Sequence, residues 1–253
     1  MTRTFTTLLC LGLCGFLVSA SAQSLEERKQ KILADEKQPA SQEALDRKAR
    51  SETQLRKEYV PIDPTLPVIA DSKKAKLRTK EEIARRAIAL YVTCSKASGA
   101  GQAEVDAMVK KYGADKFFSP AEAAFIKNPA PTEKDKVNFS WRSEDYWVLL
   151  WTLGYVDTLD YPKEQCDIDK AAGFLISRTT ETFIKDAKLR DPGAILDQAD
   201  LIYRYHWATE NARFNKKDAP AGLNDEIIME RHYVLNWLTG YMDQAWDDIT
   251  TDT

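Results

Sequence analysis

The sequence is poor in the residues that most often do chemistry. Among 253 residues there are two histidines, His206 and His232, and four cysteines. Cys10 and Cys14 fall in an apolar leader, so only Cys94 and Cys166 remain in the body of the chain. None of these stand at the close spacings of a zinc site, and no HExxH pair supports a metal shared by the two histidines. No glycine-rich phosphate loop, no GxSxG elbow and no Ser or Cys nucleophile with a nearby histidine occurs. The sequence therefore calls for no cofactor and no metal. The formal net charge of −3 lacks the basic surface that nucleic acid asks for. No run of alternating β-branched residues predicts a sheet, and after Val18 no segment is long and apolar enough to span a bilayer.

The N-terminus has the order of an export signal. A short positive start (Met1–Thr4) precedes the apolar run Leu8–Val18, and Ala20-Ser21-Ala22 offers a small-x-small cleavage site. Residues 1–22 are thus expected to be a signal peptide, and the mature protein to be exported, periplasmic or secreted. Leucine rather than a small residue precedes both leader cysteines, which argues against lipidation. In an oxidising compartment Cys94 and Cys166 could pair. The alternative is two separate buried thiols, and spacing does not choose between them.

Residues 23–76 read as a charged arm and linker. Up to about Glu58 the apolar positions are too sparse for a strong stripe, which suggests a helical arm. Val60-Pro61-Ile62-Asp63-Pro64-Thr65-Leu66-Pro67 then forces an extended path, as of a strap along the surface. Residues 77–253 read as one all-α domain of about seven helices. Thr79 with Glu82, and Ser119 with Pro120 and Glu122, form capping boxes. Asp167, Asp191-Pro192 and Asn224 are further start signals. Ser140–Leu153 reads as a central helix, apolar on every side in its latter half. The last helix is expected to continue to about Asp247.

Charges inside the apolar faces are the chief clue to a site. At 100° per residue, His206 lies on the buried stripe of the helix from Pro192, with Glu210 one turn later. The opposite face, with Asp197, Asp200, Arg204 and Asn211, reads as solvent-facing. Arg231 sits among Ile227, Val234, Leu235 and Leu238 of the last helix. Arg142 and Glu144 share apolar faces of the central helix. His232, Asn236, Thr239 and Asp243 form a separate polar arc, read as a solvated face. The six tryptophans stand at helical spacing among Leu and Val, as core residues do.

Two functions fit this pattern. In one, the protein is a binding or scaffold module whose polar interior braces the helices, or holds a small anionic ligand on Arg142 and Arg231. In the other, it is a hydrolase-type enzyme using Glu144 or Glu210 with His206 as acid and base. An open cavity lined by Arg142, Glu144, His206, Glu210 and Arg231 would favour a site, and a sealed, mutually paired cluster would favour a brace.

Several long stretches carry a resemblance: LRTKEEIARRAIAL (77–90), FSPAEAAFI (118–126) and NFSWRSEDYWVLLWTLGY (138–155), then DAKLRDPGAILDQADLIYRYHWA (186–208) and ERHYVLNWLTGYMDQAWDDITTDT (230–253). Together they resemble the family known as domain of unknown function 4272, over nearly the whole chain after about Leu66. The resemblance implies one mainly helical domain and no particular activity or catalytic residue. The leader and charged arm depart from the family pattern and point away from an intracellular role.

Overall fold

Each capping signal named by the sequence starts a helix in the computed structural model, which describes Glu27, Gln30 and residues 39–69 and 71–253, whereas the central helix starts at Ser143 and not at Ser140. The leader, residues 1–22, and most of the arm before Pro39 lie outside the described residues. Thr79 and Ser119 accept from the backbone N–H three residues on while Glu82 and Glu122 reach back, completing both capping boxes. Asp167, Asp191 and Asn224 cap in the same way. The described residues are helical and contain no strand. The helices are α1 (Gln42–Lys57), α2 (Lys80–Ala97), α3 (Gln102–Tyr112), α4 (Pro120–Lys127), α5 (Glu133–Trp141), α6 (Ser143–Thr152), α7 (Ile168–Ile176), α8 (Thr180–Asp186), α9 (Pro192–Phe214) and α10 (Asp225–Thr239).

Nine of these follow residue 77, where seven were expected. The central helix is preceded by a separate one, α5, whose own capping box at Thr132 and Asp135 starts it and whose end meets α6 at Arg142. Helix α8 is the other addition, capped by Thr179. The last helix ends at Thr239, eight residues short of the expected stop. Gly240 takes the left-handed conformation there (φ 68°), and a Cβ on it would come within 2.7 Å of the Lys76 carbonyl oxygen.

Packing follows from which helices are apolar all round. All ten residues of α6 are buried, and α2 is buried from Ile83 through Cys94 except for Arg85. They pack on each other; α10 packs on α6, α9 on α10, and α1 on α9. Helices α3, α4, α5 and α8 cover the far side of α2. Trp147, Trp151, Trp237 and Trp246 are core residues.

The arm and strap are part of this packing. Leu55 and Val60 enter the same core cluster as α2 and α6. Lys48 donates to the carbonyls of Pro64 and Leu66, at 2.6 Å each, so α1 holds the proline strap. Arg47 bonds Asp197 of α9 at 3.1 Å. Arg204 forks onto Asp200 at 2.8 Å and reaches the Pro67 carbonyl. The polar face of α9, expected to meet solvent, is therefore covered: Asp200 and Arg204 are buried. Asn211, beyond the reach of α1, is exposed as expected.

Cys94 and Cys166 are free thiols. Each sits against a backbone carbonyl, of Phe139 and Ser143 respectively, instead of forming the possible disulfide. Burial pushes both thiols well up, so neither is a poised nucleophile.

Candidate functional site

Helix α10 divides the polar interior in two. On its α6 side lie three of the charges that the sequence placed in apolar surroundings: Arg142, Glu144 and Arg231. Arg231 donates through Nε to Glu144 Oε2 at 3.0 Å and through Nη1 to the Asp160 carbonyl at 2.6 Å. The other Glu144 oxygen accepts from the backbone N–H of Cys166 at 2.5 Å. Glu144 is fully buried and Arg231 nearly so. Beside this pair, Arg142 donates to Asp145 at 3.1 Å and to Glu230, the residue before Arg231, at 2.9 Å, with its guanidinium stacked 4.0 Å from the ring of Tyr233. Burial first, and then the Glu230 carboxylate beside it, hold the Asp145 carboxyl well above its ordinary range.

This cluster has its charges paired and leaves no guanidinium edge pointing into a cavity. Arg142 and Arg231 each already hold carboxylates, so the anion site expected between them is not formed. Glu144, engaged by an arginine and a backbone amide, is in no position to abstract a proton from a ligand. By the geometric criterion set by the sequence, these residues brace α6 against α10.

The other side of α10 is different. His206 of α9 and His232 of α10 meet Nδ1 to Nδ1 at 2.8 Å, with their rings edge to face at 5.1 Å. Burial holds both rings neutral, with His232 lowered to about 3 by desolvation and by His206. Glu210, the fifth sequence candidate, stands at the rim: its Oε1 is 3.9 Å from His206 Nε2, and Arg213 clamps it from outside. The five candidates thus fall into two separate places. Arg142, Glu144 and Arg231 are together; His206 and Glu210 are with His232.

His232 opens onto a cleft of about 740 Å³ between α1 and the strap on one wall and α9, α10 and the C-terminal turns on the other. Such a volume suits a small organic molecule. Leu45, Val68, Ile69, Leu196 and Ala199 give it apolar walls; Tyr203, His232 and Asn236 give it polar points. The arc of His232, Asn236, Thr239 and Asp243, read as a solvated face, lines this cleft, and His232 is only 3% exposed. The correction has a physical reason: the arm and strap roof that face of α10. At the cleft's edge Met242 and Asp243 both adopt left-handed backbone (φ 51° and 52°), a conformation that costs a non-glycine residue energy and recurs at ligand sites.

Sequence reasoning did not find Asp145, Glu230 or Tyr203 as partners. The i,i+3 spacing of Arg142 and Asp145 was a usable signal; nothing local could have shown that α1 would roof His232. Among the described residues no cluster of three or more His, Cys, Asp or Glu could hold a metal ion. No described helix is long and apolar enough to cross a membrane. No curated protein and no solved structure matches the chain. Residues 47–249, which carry both polar clusters and most of the cleft's α9–α10 wall, match the model of the family described as Domain of unknown function (DUF4272), and the chain belongs to that family.

Proposed function

We propose that this is an exported small-molecule-binding protein whose site is the cleft between α1 and α10. The observation that carries the reading is the cleft itself. It has the volume of a ligand site, apolar walls, a few convergent polar groups and a strained turn at its edge. The arginine network is the brace that fixes α6 and α10, and through them the cleft floor. The leader sequence supports export. The hydrolase reading has less behind it: Glu144 is occupied, Glu210 is clamped by Arg213, and burial lowers the basicity of both histidines, that of His232 to about 3.

Native mass spectrometry of the protein purified from its natural host tests this. We expect a mass excess corresponding to a small organic molecule. Leu45 lines the cleft from a half-exposed position, so Leu45→Trp fills the space without disturbing the core and should abolish the excess. Bare mass for both proteins counts against the reading, as does an excess that survives in Leu45→Trp.

A further inference from the structure

The two histidines sit in a fixed order: Glu210 beside Nε2 of His206, Nδ1 of His206 on Nδ1 of His232, and His232 on the cleft. Both rings are neutral, so one proton lies between the two Nδ1 atoms and each ring has one further nitrogen to assign. If His206 supplied the shared proton, its Nε2 would turn a bare lone pair toward the Glu210 carboxylate, 3.9 Å away. The Nε2–H of His232 would then be a donor with no partner among the described residues. If His232 supplies it, His206 carries its own proton on Nε2, facing the carboxylate. His232 is then left with an unprotonated Nε2. The second arrangement replaces a repulsion with an attraction and leaves no unpaired N–H, the costlier orphan in a buried place. Glu210 therefore sets, through His206, which face of His232 meets the cleft.

We infer that the cleft recognises its ligand through an O–H or N–H donor delivered to Nε2 of His232, and that the ligand is an uncharged, mainly apolar alcohol, phenol or amide. This rests on the cleft being the binding site. The apolar body follows from the walls: Leu45, Val68, Ile69, Leu196 and Ala199 offer nothing to a polar surface. The absence of charge follows from the floor, because the cleft's charged lining residues carry both signs: Lys74, Lys76, Asp243 and Asp252 are exposed to solvent, and Lys48 is held by the Pro64 and Leu66 carbonyls. At the His232 end the ring stays neutral, and the buried charges behind it, around Arg142 and Arg231, are already paired. A charged ligand group would be desolvated there without a counter-ion. The lowered basicity of His232 also makes it a hydrogen-bond acceptor and not a proton acceptor, so the ligand is held, not ionised.

With two histidines in the sequence, ¹⁵N-histidine labelling of the full chain gives four ring nitrogens to assign. We expect two-bond ¹H–¹⁵N correlations to show His232 protonated on Nδ1 and His206 on Nε2. Titration with 2-naphthol should shift His232 Nε2 and bind about three- to tenfold more tightly than 2-methoxynaphthalene, which has the same body and no donor. In His232→Phe that preference should vanish. The reverse tautomers, or equal binding of both probes to wild type with an assigned cleft, overturn the inference and leave the cleft as a binding site. Failure of both probes to bind overturns the cleft reading, and the inference with it.

Discussion

The two faces of α10 carry polar groups of similar burial and opposite character. Toward α6, every guanidinium meets a carboxylate, and the cluster is closed. Toward α1, two neutral rings share one hydrogen bond, and one of them, His232, lines an open cleft. Arginine and carboxylate take one another up as partners when buried, because both need partners to be buried at all. Histidine can be buried neutral with only one of its nitrogens engaged. In this molecule the charged cluster therefore has the geometry of a brace, and the weakly polar one borders the cleft that we propose as the site, the reverse of what charge alone suggests.

The largest test of that contrast is removal of one partner from the closed cluster. Arg231→Ala strands Glu144 in the core and should lower unfolding free energy by about 3–5 kcal/mol in denaturant titrations. The volume-matched pair Arg231→Met with Glu144→Leu should cost much less. A single mutant that keeps wild-type stability would show that the pair does not brace the fold.

Next is acid titration. The folded value of His232 lies at about 3, below its ordinary 6.5. Between those values the unfolded chain binds a proton that the folded chain refuses. Stability is therefore intact above about 6.5 and falls as pH drops toward 3, by up to about 1.4 kcal/mol per pH unit for this group. His232→Phe should remove that part of the slope in stability curves measured from pH 7 to 4. An unchanged slope would place the ring in contact with water.

Asp145 should give the smallest effect, with the opposite sign. Its folded value is raised above the ordinary 3.8. Its contribution is therefore present at low pH and is lost as pH rises through the folded value. Asp145→Asn keeps the shape, accepts from Arg142, and removes one of two crowded carboxylates. Stability at neutral pH should hold or rise slightly. A loss of more than about 2 kcal/mol would mean that both carboxylates are needed to satisfy Arg142.

Much of this architecture was legible before any coordinates. The caps at Thr79, Ser119, Asp167, Asp191 and Asn224 are local chemistry, since side chain and backbone donor lie within three residues. The burial of His206, Arg231 and Glu144 could be read from helical phase. The rest depends on partners far along the chain. Asp200 and Arg204 looked solvent-facing because nothing near them signals that Arg47, Leu55 and Pro67 will cover that side. His232 looked solvated for the same reason. Gly240 was a readable stop that the apolar pattern beyond it, through Tyr241, Met242 and Ala245, outweighed.

The contact between Arg47 and Asp197 joins residues 150 positions apart. Closing so long a loop is slow, and long-range contacts of this kind form late in folding. Toward the cleft, polar links hold α1 and its strap, with Arg47, Lys48 and Arg204 supplying several of them, while Leu55 and Val60 anchor its C-terminal end in the core as a hinge. The N-terminal part of such a layer can lift away from α9 and α10 about that anchored end without unfolding the remainder. The roof over the cleft is then also its door. A molecule bound beneath it would be released at the rate at which the layer opens, and its residence time would track the hydrogen-exchange protection of the α1 amides rather than the strength of its own contacts.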